Sequence, residues 1–394
     1  MTGERMLLST LADPLAAAID LLPQVRAARD ELEELRHIPS ALARAIGDAG
    51  LLQLYLPSAI GGAETPPLKT FRVIEEFSKA EGSVGWCVMI ANSVTLFTGW
   101  LAPEVACEMF GQPPVARMAG SVRPEGKAWP VEGGYRVTGQ WNFASGVHHA
   151  NWLFCTCKVM DGDTPRQSAN GAPVIRSMYI PAENAVIEDT WSVVGMCGTG
   201  SHDFVIDDVF VPEAQAFSPY EPTKVVAPLY NPRLVMVAAW TNTAANALGI
   251  ARGAMDTFVE LASHTGSTNS ATPLRNRPLV QSRIAEAEAI LGAARAYVLE
   301  SVGAAWEAVC EQVPDPGPEI ARARLAITHA MHEAVRAVDV VFHTAGTNAV
   351  YRKHPLERYF RDIHVAVQHA AGLPVHVESA GKALLGLQPM DLGW

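Results

Sequence analysis

Two stretches of the chain gather side chains able to do chemistry. The first is Val137-Thr-Gly-Gln-Trp-Asn-Phe-Ala-Ser-Gly-Val-His-His-Ala-Asn-Trp152. It leaves a strand, turns at Gly139 and carries Trp141, Asn142, Phe143 and Ser145 on a loop before the next strand. Aromatic planes beside a small hydroxyl suit a flat heteroaromatic cofactor. The same residues also read as an aromatic-rich β corner closed by a Ser-Gly turn. The second stretch runs from Ala345 to His369, with Pro355-Leu-Glu-Arg-Tyr-Phe-Arg-Asp362 at its centre. Pro355 opens a helix and Glu357 sits in its first turn, which is favourable helix-start chemistry. Arg358, Arg361 and Asp362 fall within about one turn and can pair. His369 follows eight residues after Arg361, back on roughly the same face. A solvated histidine is the plainer reading of that position.

Other signatures are missing. The sequence has no GxGxxG after a strand, no Walker A loop and no GxSxG. Gly195-Met-Cys-Gly-Thr-Gly200 is glycine-rich but precedes a strand, so its glycines serve turns and close backbone approaches. His329 and His332 lie three apart on a helix, but no HExxH accompanies them and no metal site is expected. The formal charge is −11, from 30 basic and 41 acidic side chains, which argues against nucleic acid as a ligand. Six cysteines form no CxxC pair and suit a reducing compartment. With no secretory signal and no transmembrane run, a cytoplasmic protein is expected, with no membrane partner.

These residues need a frame. Residues 24–50, 68–80 and 84–100 carry helical apolar spacing, and the last is apolar nearly all round. Gly and Pro are densest over 111–222, where strands are expected at 115–122, 135–138, 152–159, 174–180 and 203–211. Long helices are expected at about 233–263, 278–313, 319–345 and 357–387, with a polar loop at 264–278. The order is α, β, α: a helical domain over 1–110, a small antiparallel β-barrel or sandwich over 111–222 and a helical bundle over 223–394. The most sheltered cleft then lies where the β unit meets the helices.

At both stretches the chain resembles the acyl-CoA dehydrogenase superfamily. The C-terminal signature stands as Ala345-Gly346, Tyr351 and Pro355 to Asp362. The middle one stands as Gly195 to Ser201 and Val209-Phe-Val-Pro212. The resemblance covers nearly the whole chain and implies a mainly α fold with a middle β-barrel and a C-terminal four-helix bundle. Dehydrogenases of the family use a glutamate eight residues past the Asp of the Arg-Asp pair. Here that position is Ala370, and residues 222–255 hold no Asp or Glu that might replace it. The chain is more similar to the branch of two-component flavin monooxygenases, whose Trp-x-Phe-x-Ser-Gly-x-x-x-Ala-x-Trp pattern matches Trp141 to Trp152. A histidine near the end of the Arg-Asp helix, common in that branch, matches His369.

The resemblance implies an oxygenase component that hydroxylates an aromatic or heteroaromatic small molecule, of indole or phenol type. It would use reduced flavin and dioxygen through a C4a-hydroperoxide. FAD is the expected flavin, delivered as FADH2 by a separate NAD(P)H-dependent reductase, with FMN as the other choice. Ser145 would meet flavin near N5 and C4a, and His369 would serve the peroxide oxygens. Asn92, a third candidate catalytic residue, stands near a place where relatives often put a polar substrate or peroxide contact. Ser121, Trp141, Phe143, Thr199 and Ser201 would contact the ring or phosphate. Arg275 and Arg277 would reach a flavin pyrophosphate from another subunit of a homotetramer or homodimer. The apolar stretch Val84–Trp100 is a candidate wall of a dry cavity. The alternative is an acyl-CoA dehydrogenase or oxidase with a non-standard base.

Overall fold

Asp13 begins the first helix. Its carboxylate accepts from the Leu15 amide at 3.0 Å, and Pro14 takes the first helical position. From there a computed structural model describes residues 13–111, 115–267 and 270–388. The first helical group is α1 (Pro14–Ala27), α2 (Arg29–Leu35), α3 (Ser40–Asp48), α4 (Pro67–Ala80), α5 (Gly82–Thr95) and α6 (Pro103–Phe110). Strands follow: β1 (Met118–Val131), β2 (Gly134–Trp141), β3 (Trp152–Asp161), β4 (Thr164–Pro165), β5 (Ile175–Pro181), β6 (Ala185–Glu188), β7 (Asp203–Pro212) and β8 (Ala216–Phe217). The last group is α7 (Val235–His264), the short pair β9 (Gly266–Ser267) and β10 (Ser270–Pro273), then α8 (Pro278–Cys310), α9 (Gly317–Ala345), α10 (Pro355–Ala366) and α11 (Pro374–Leu384).

The sheet has the order β6-β7-β2-β1-β3-β5-β8, with β4 beside β3. Its pairs are antiparallel except β1 with β3, which run parallel. That one exception positions the site. After β2 the chain must cross the Met118 end of β1 to lie on its other side, so residues 142–151 form a crossover at that end of the sheet. A second departure from the sequence reading concerns the last helix. Expected as one element over 357–387, it breaks into α10 and α11 with a turn at 370–372. Pro374 is the cause. It takes the first position of α11 and holds Leu373 extended.

Helices from before and after the sheet share one hydrophobic core, including Leu22, Phe77, Val88, Ile250, Ile327 and Ile363. The sheet buries its own cluster around Trp141, Leu153, Met178 and Phe204. Helix α7 lies against α4 and α9, and α8 packs along α9. Helix α5 is buried on nearly all sides. Only Trp86, Ile90 and Ser93 are partly exposed, and their i, i+4, i+7 spacing makes one open stripe. All six cysteines are free thiols.

Candidate active site

The crossover after β2 is stapled to the turn before β7. The Ala144 amide donates to the His202 carbonyl at 3.1 Å, and the Gly146 amide to the Thr199 carbonyl at 2.8 Å. This brings three hydroxyls into line. Ser145 Oγ lies 2.7 Å from Ser201 Oγ, and Ser201 Oγ lies 2.7 Å from Thr199 Oγ1. Thr199 Oγ1 donates to the Met196 carbonyl at 2.8 Å, and Trp86 Nε1 donates to Ser145 Oγ at 3.0 Å. Phe143 and Met196, at the two ends of this array, hold left-handed backbones with φ of 60° and 57°. Such conformations cost about 1 kcal/mol or more for non-glycine residues and persist where surrounding contacts enforce them.

Trp86 also reaches His369. The two rings meet edge to face with centroids 5.5 Å apart. One indole therefore touches both the Ser145 hydroxyl and the His369 imidazole. His369 is half-buried at the start of the 370–372 turn, and its Nδ1 accepts from the Ala371 amide at 3.2 Å. In the neutral ring the proton then sits on Nε2, which has no hydrogen-bond partner among the described residues. Burial, with His376 nearby, pushes the His369 pKa down to about 4, so the ring is neutral at pH 7. The turn is held from three sides. His376 Nε2 bonds the Ala370 carbonyl at 2.9 Å, Thr328 Oγ1 the Ala371 carbonyl at 2.8 Å, and His332 Nε2 the Gly372 carbonyl at 2.9 Å. Gly372 has no room for a side chain, since a Cβ there would stand 2.6 Å from the Val367 carbonyl oxygen.

The Arg-Asp helix α10 clamps the parts together. Arg358 donates to the Arg29 carbonyl at 2.9 Å and pairs with Asp30, Glu33 and the buried Glu81. Arg361 pairs with Glu357 and Glu33 and donates to the Val194 carbonyl at 2.6 Å. Asp362, buried, accepts from the Met196 amide. Burial holds the Glu81 and Asp362 carboxyls above their ordinary range. Gly195 permits the close approach, because a Cβ there would stand 2.5 Å from the Arg361 carbonyl oxygen.

The residues singled out from the sequence fare differently. Ser145, Thr199 and Ser201 come together, and His369 joins them through Trp86. His369 lies past the end of α10 rather than on its face. Phe143 is 52% exposed at the mouth of the array, with Trp191 edge-on and the Arg123 guanidinium 5.0 Å from its ring centre. Ser121 is buried in β1 just before a register shift, its Oγ accepting from the Arg123 amide at 3.3 Å.

Two expectations need correction. Trp141 ends β2 instead of lying on a loop. It stacks on Phe204 at 5.2 Å and donates Nε1 to the Thr156 carbonyl at 2.9 Å, fully enclosed in the sheet core. Asn92 is also fully buried and spends its amide on the frame. Its Nδ2 donates to the Leu51 and Val88 carbonyls, and its Oδ1 accepts from the Leu54 amide at 2.7 Å. Asn92→Ala is expected to cost about 1–3 kcal/mol of stability, because it strands buried backbone groups of the 51–54 turn. Denaturant unfolding checks this.

Arg275 and Arg277 lie on the short turn after β10, where Arg275 is exposed. No contact among the described residues links either to Ser145. Trp86, Thr328, His332 and His376 were not singled out for this site. Pro374 and Gly372 signalled the break that places His369, and nothing local signalled the three side chains that brace it.

The residues present fit a flavin. Phe143 offers an aromatic face, Ser145 an oxygen with one lone pair free, and His369 an unpaired N–H. Asn142 Oδ1, beside Phe143, is buried with no hydrogen-bond partner among the described residues. The buried carboxylates among the described residues are committed elsewhere: Glu75 to Arg295, Glu81 to Arg29 and Arg358, Asp362 to Met196.

The chain is similar over most of its length to proteins of known activity. Residues 4–100 match the acyl-CoA dehydrogenase N-terminal domain and residues 241–373 the C-terminal domain. The chain is 32% identical to an indole-3-acetate monooxygenase of Pseudomonas putida, over 93% of this chain and 92% of that one. It is 30% identical to the flavin-dependent monooxygenase oxygenase subunit HsaA of Mycobacterium tuberculosis, over 96% and 97% of the two chains. Among solved structures, HsaA from M. tuberculosis superposes with a TM-score of 0.86 at 29% identity, covering 97% of this chain and 99% of that one. XiaF from Streptomyces, solved with FADH2 and glycerol, superposes with a TM-score of 0.87 at 29% identity, covering 97% of both chains.

Proposed function

The chain belongs to the acyl-CoA dehydrogenase family as one of its flavin-dependent monooxygenases, and we propose that it hydroxylates a small aromatic or heteroaromatic molecule of indole or phenol type. The observation that carries this reading is the single indole, Trp86, that touches both Ser145 and His369, while the buried carboxylates among the described residues are paired elsewhere. Relatives named for indole-3-acetate and resorcinol support the substrate class.

Bound reduced flavin supplies the activation of dioxygen and the transfer of one oxygen atom to substrate. The chain's own part is to hold and shield. Phe143 offers a face to the ring, and Ser145 offers an oxygen to its N5 edge. The neutral His369 donates its Nε2–H as a hydrogen bond toward the reacting oxygens. The braced 370–372 turn keeps that ring from swinging into water. The stripe Trp86, Ile90 and Ser93 forms the wall along which a flat substrate lies, and its apolar surroundings exclude water that would waste reducing equivalents.

A separate reductase supplies the reduced flavin. We take it to be NAD(P)H-dependent and the flavin to be FAD. A homotetramer or homodimer would bring Arg275 and Arg277 of one copy to the flavin phosphates of another. Among the described residues no helix is long and apolar enough to cross a membrane. The free thiols suit the cytoplasm.

The test is to mix the protein with photoreduced FAD, a panel of indoles and phenols, and ¹⁸O-labelled dioxygen. One labelled oxygen atom per product molecule is expected. Bleaching of bound oxidised flavin by an acyl-CoA without oxygen, and no labelled product, would instead establish the dehydrogenase reading.

A further inference from the structure

The hydroxyl line beside Ser145 can run in only one direction if every bond is made. The Met196 carbonyl can only accept, so Thr199 must spend its one hydroxyl proton there. The Thr199 oxygen then takes its proton contact from Ser201, and Ser201 in turn takes one from Ser145. At the other end the Trp86 indole can only donate, and it donates to Ser145. Ser145 is therefore left with its proton spent, one lone pair used and one lone pair free. It can accept one more hydrogen bond and can donate none.

The anchor of the line is fixed by the clamp. Met196 sits in a left-handed backbone, its amide held by Asp362 and its neighbour Gly195 pressed against the Arg361 carbonyl. The carbonyl that sets the direction is thus immobilised by the Arg-Asp helix.

Flavin N5 changes hydrogen-bonding sense with redox state. It is an N–H donor when reduced and a bare acceptor when oxidised. Resting on the reading that Ser145 meets the N5 edge, we propose that the Ser145–Ser201–Thr199–Met196 line selects the redox state of the flavin. It welcomes the reduced form and opposes the oxidised form, in which two lone pairs face each other. Ser201 and Thr199 act as specificity-determining residues without touching the reacting atoms. An oxygenase that receives reduced flavin and must shed oxidised flavin has use for this selection.

The test measures dissociation constants for photoreduced FAD, held without oxygen, and for oxidised FAD. It uses the full chain and three variants, each checked for folding by circular dichroism and melting. In the wild-type chain the reduced form binds tighter. Thr199→Val removes the proton acceptor that fixes Ser201, and Ser201→Ala removes the acceptor that fixes Ser145. Either change frees Ser145 to donate. Each is expected to lower the oxidised-to-reduced ratio of dissociation constants about tenfold, the size of one neutral hydrogen bond. Trp86→Phe removes a donor but leaves the direction of the line intact, so its ratio stays near the wild-type value even if both affinities fall. The ratio unchanged in whichever of Thr199→Val and Ser201→Ala folds, or collapsed equally by Trp86→Phe, overturns the selection while leaving the flavin site standing. Absence of binding in both redox states by the wild-type chain overturns the flavin reading and the selection together.

Discussion

Replacing His369 by alanine is expected to cut product formation about 10²–10³-fold, the usual range for loss of one preorganised hydrogen-bond donor. Oxygen consumption should persist and divert to hydrogen peroxide, so the ratio of product to peroxide is the decisive readout. His369→Asn keeps a donor near the same place and is expected to recover part of the coupling. The pH profile adds a second check. Burial holds the imidazole pKa down to about 4 from an ordinary 6.5, so the neutral Nε2–H form persists well below neutrality. Coupled turnover should therefore show no inflection near 6.5 on the acid side. It should be lost only as pH falls toward about 4, when the ring takes a second proton. An acid-side inflection at 6.5 that disappears in His369→Asn would show that the ring is solvated during turnover, and that the braced turn does not shelter it.

The second large effect is on stability. Trp141→Ala is expected to cost about 3–5 kcal/mol, as for other large aromatic truncations in a core. The indole is enclosed, stacks on Phe204 and satisfies the Thr156 carbonyl, so its loss opens a cavity and strands an acceptor. Phe143→Ala, two positions away, should shift stability by no more than about 0.5 kcal/mol because the ring is half exposed. It should instead weaken flavin binding about tenfold, as expected when an aromatic face is withdrawn from a planar ligand. Urea unfolding and flavin titration of the two variants separate these outcomes. The reverse pattern would return Trp141 to the site and Phe143 to the frame.

This contrast shows what the amino-acid pattern reveals and where it fails. Gly139 reads as a turn, yet it marks a register shift inside β2, and the strand continues to Trp141. The odd and even residues beyond it then exchange faces relative to the loop reading, and Trp141 moves from the ligand side to the core. Helix α5 presents the opposite difficulty. Its residues are apolar nearly all round, so periodicity could not show that Trp86, Ile90 and Ser93 face an opening. Asn92 sits one residue off that stripe, which suffices to turn it inward. Ser145 and Ser201 are 56 residues apart in the chain, and no local rule pairs them. Only the family resemblance placed them in one site. The α–β–α order, by contrast, follows from apolar spacing and from Gly and Pro density, because these operate within each segment.

The clamp made by α10 also dictates when the catalytic centre can come into being. Arg29 and Tyr359 hydrogen-bond across 330 positions, and Glu81, paired with Arg29 among the early helices, gains its second cation only when Arg358 arrives. While the ribosome is still working, the early helices wait with Glu81 paired to Arg29 alone and one flank bare. A chain arrested before α10 lacks the aspartate that seats Met196 and the imidazole beyond it. A nascent fragment that stops there therefore lacks the part of the proposed site that α10 and the turn after it supply.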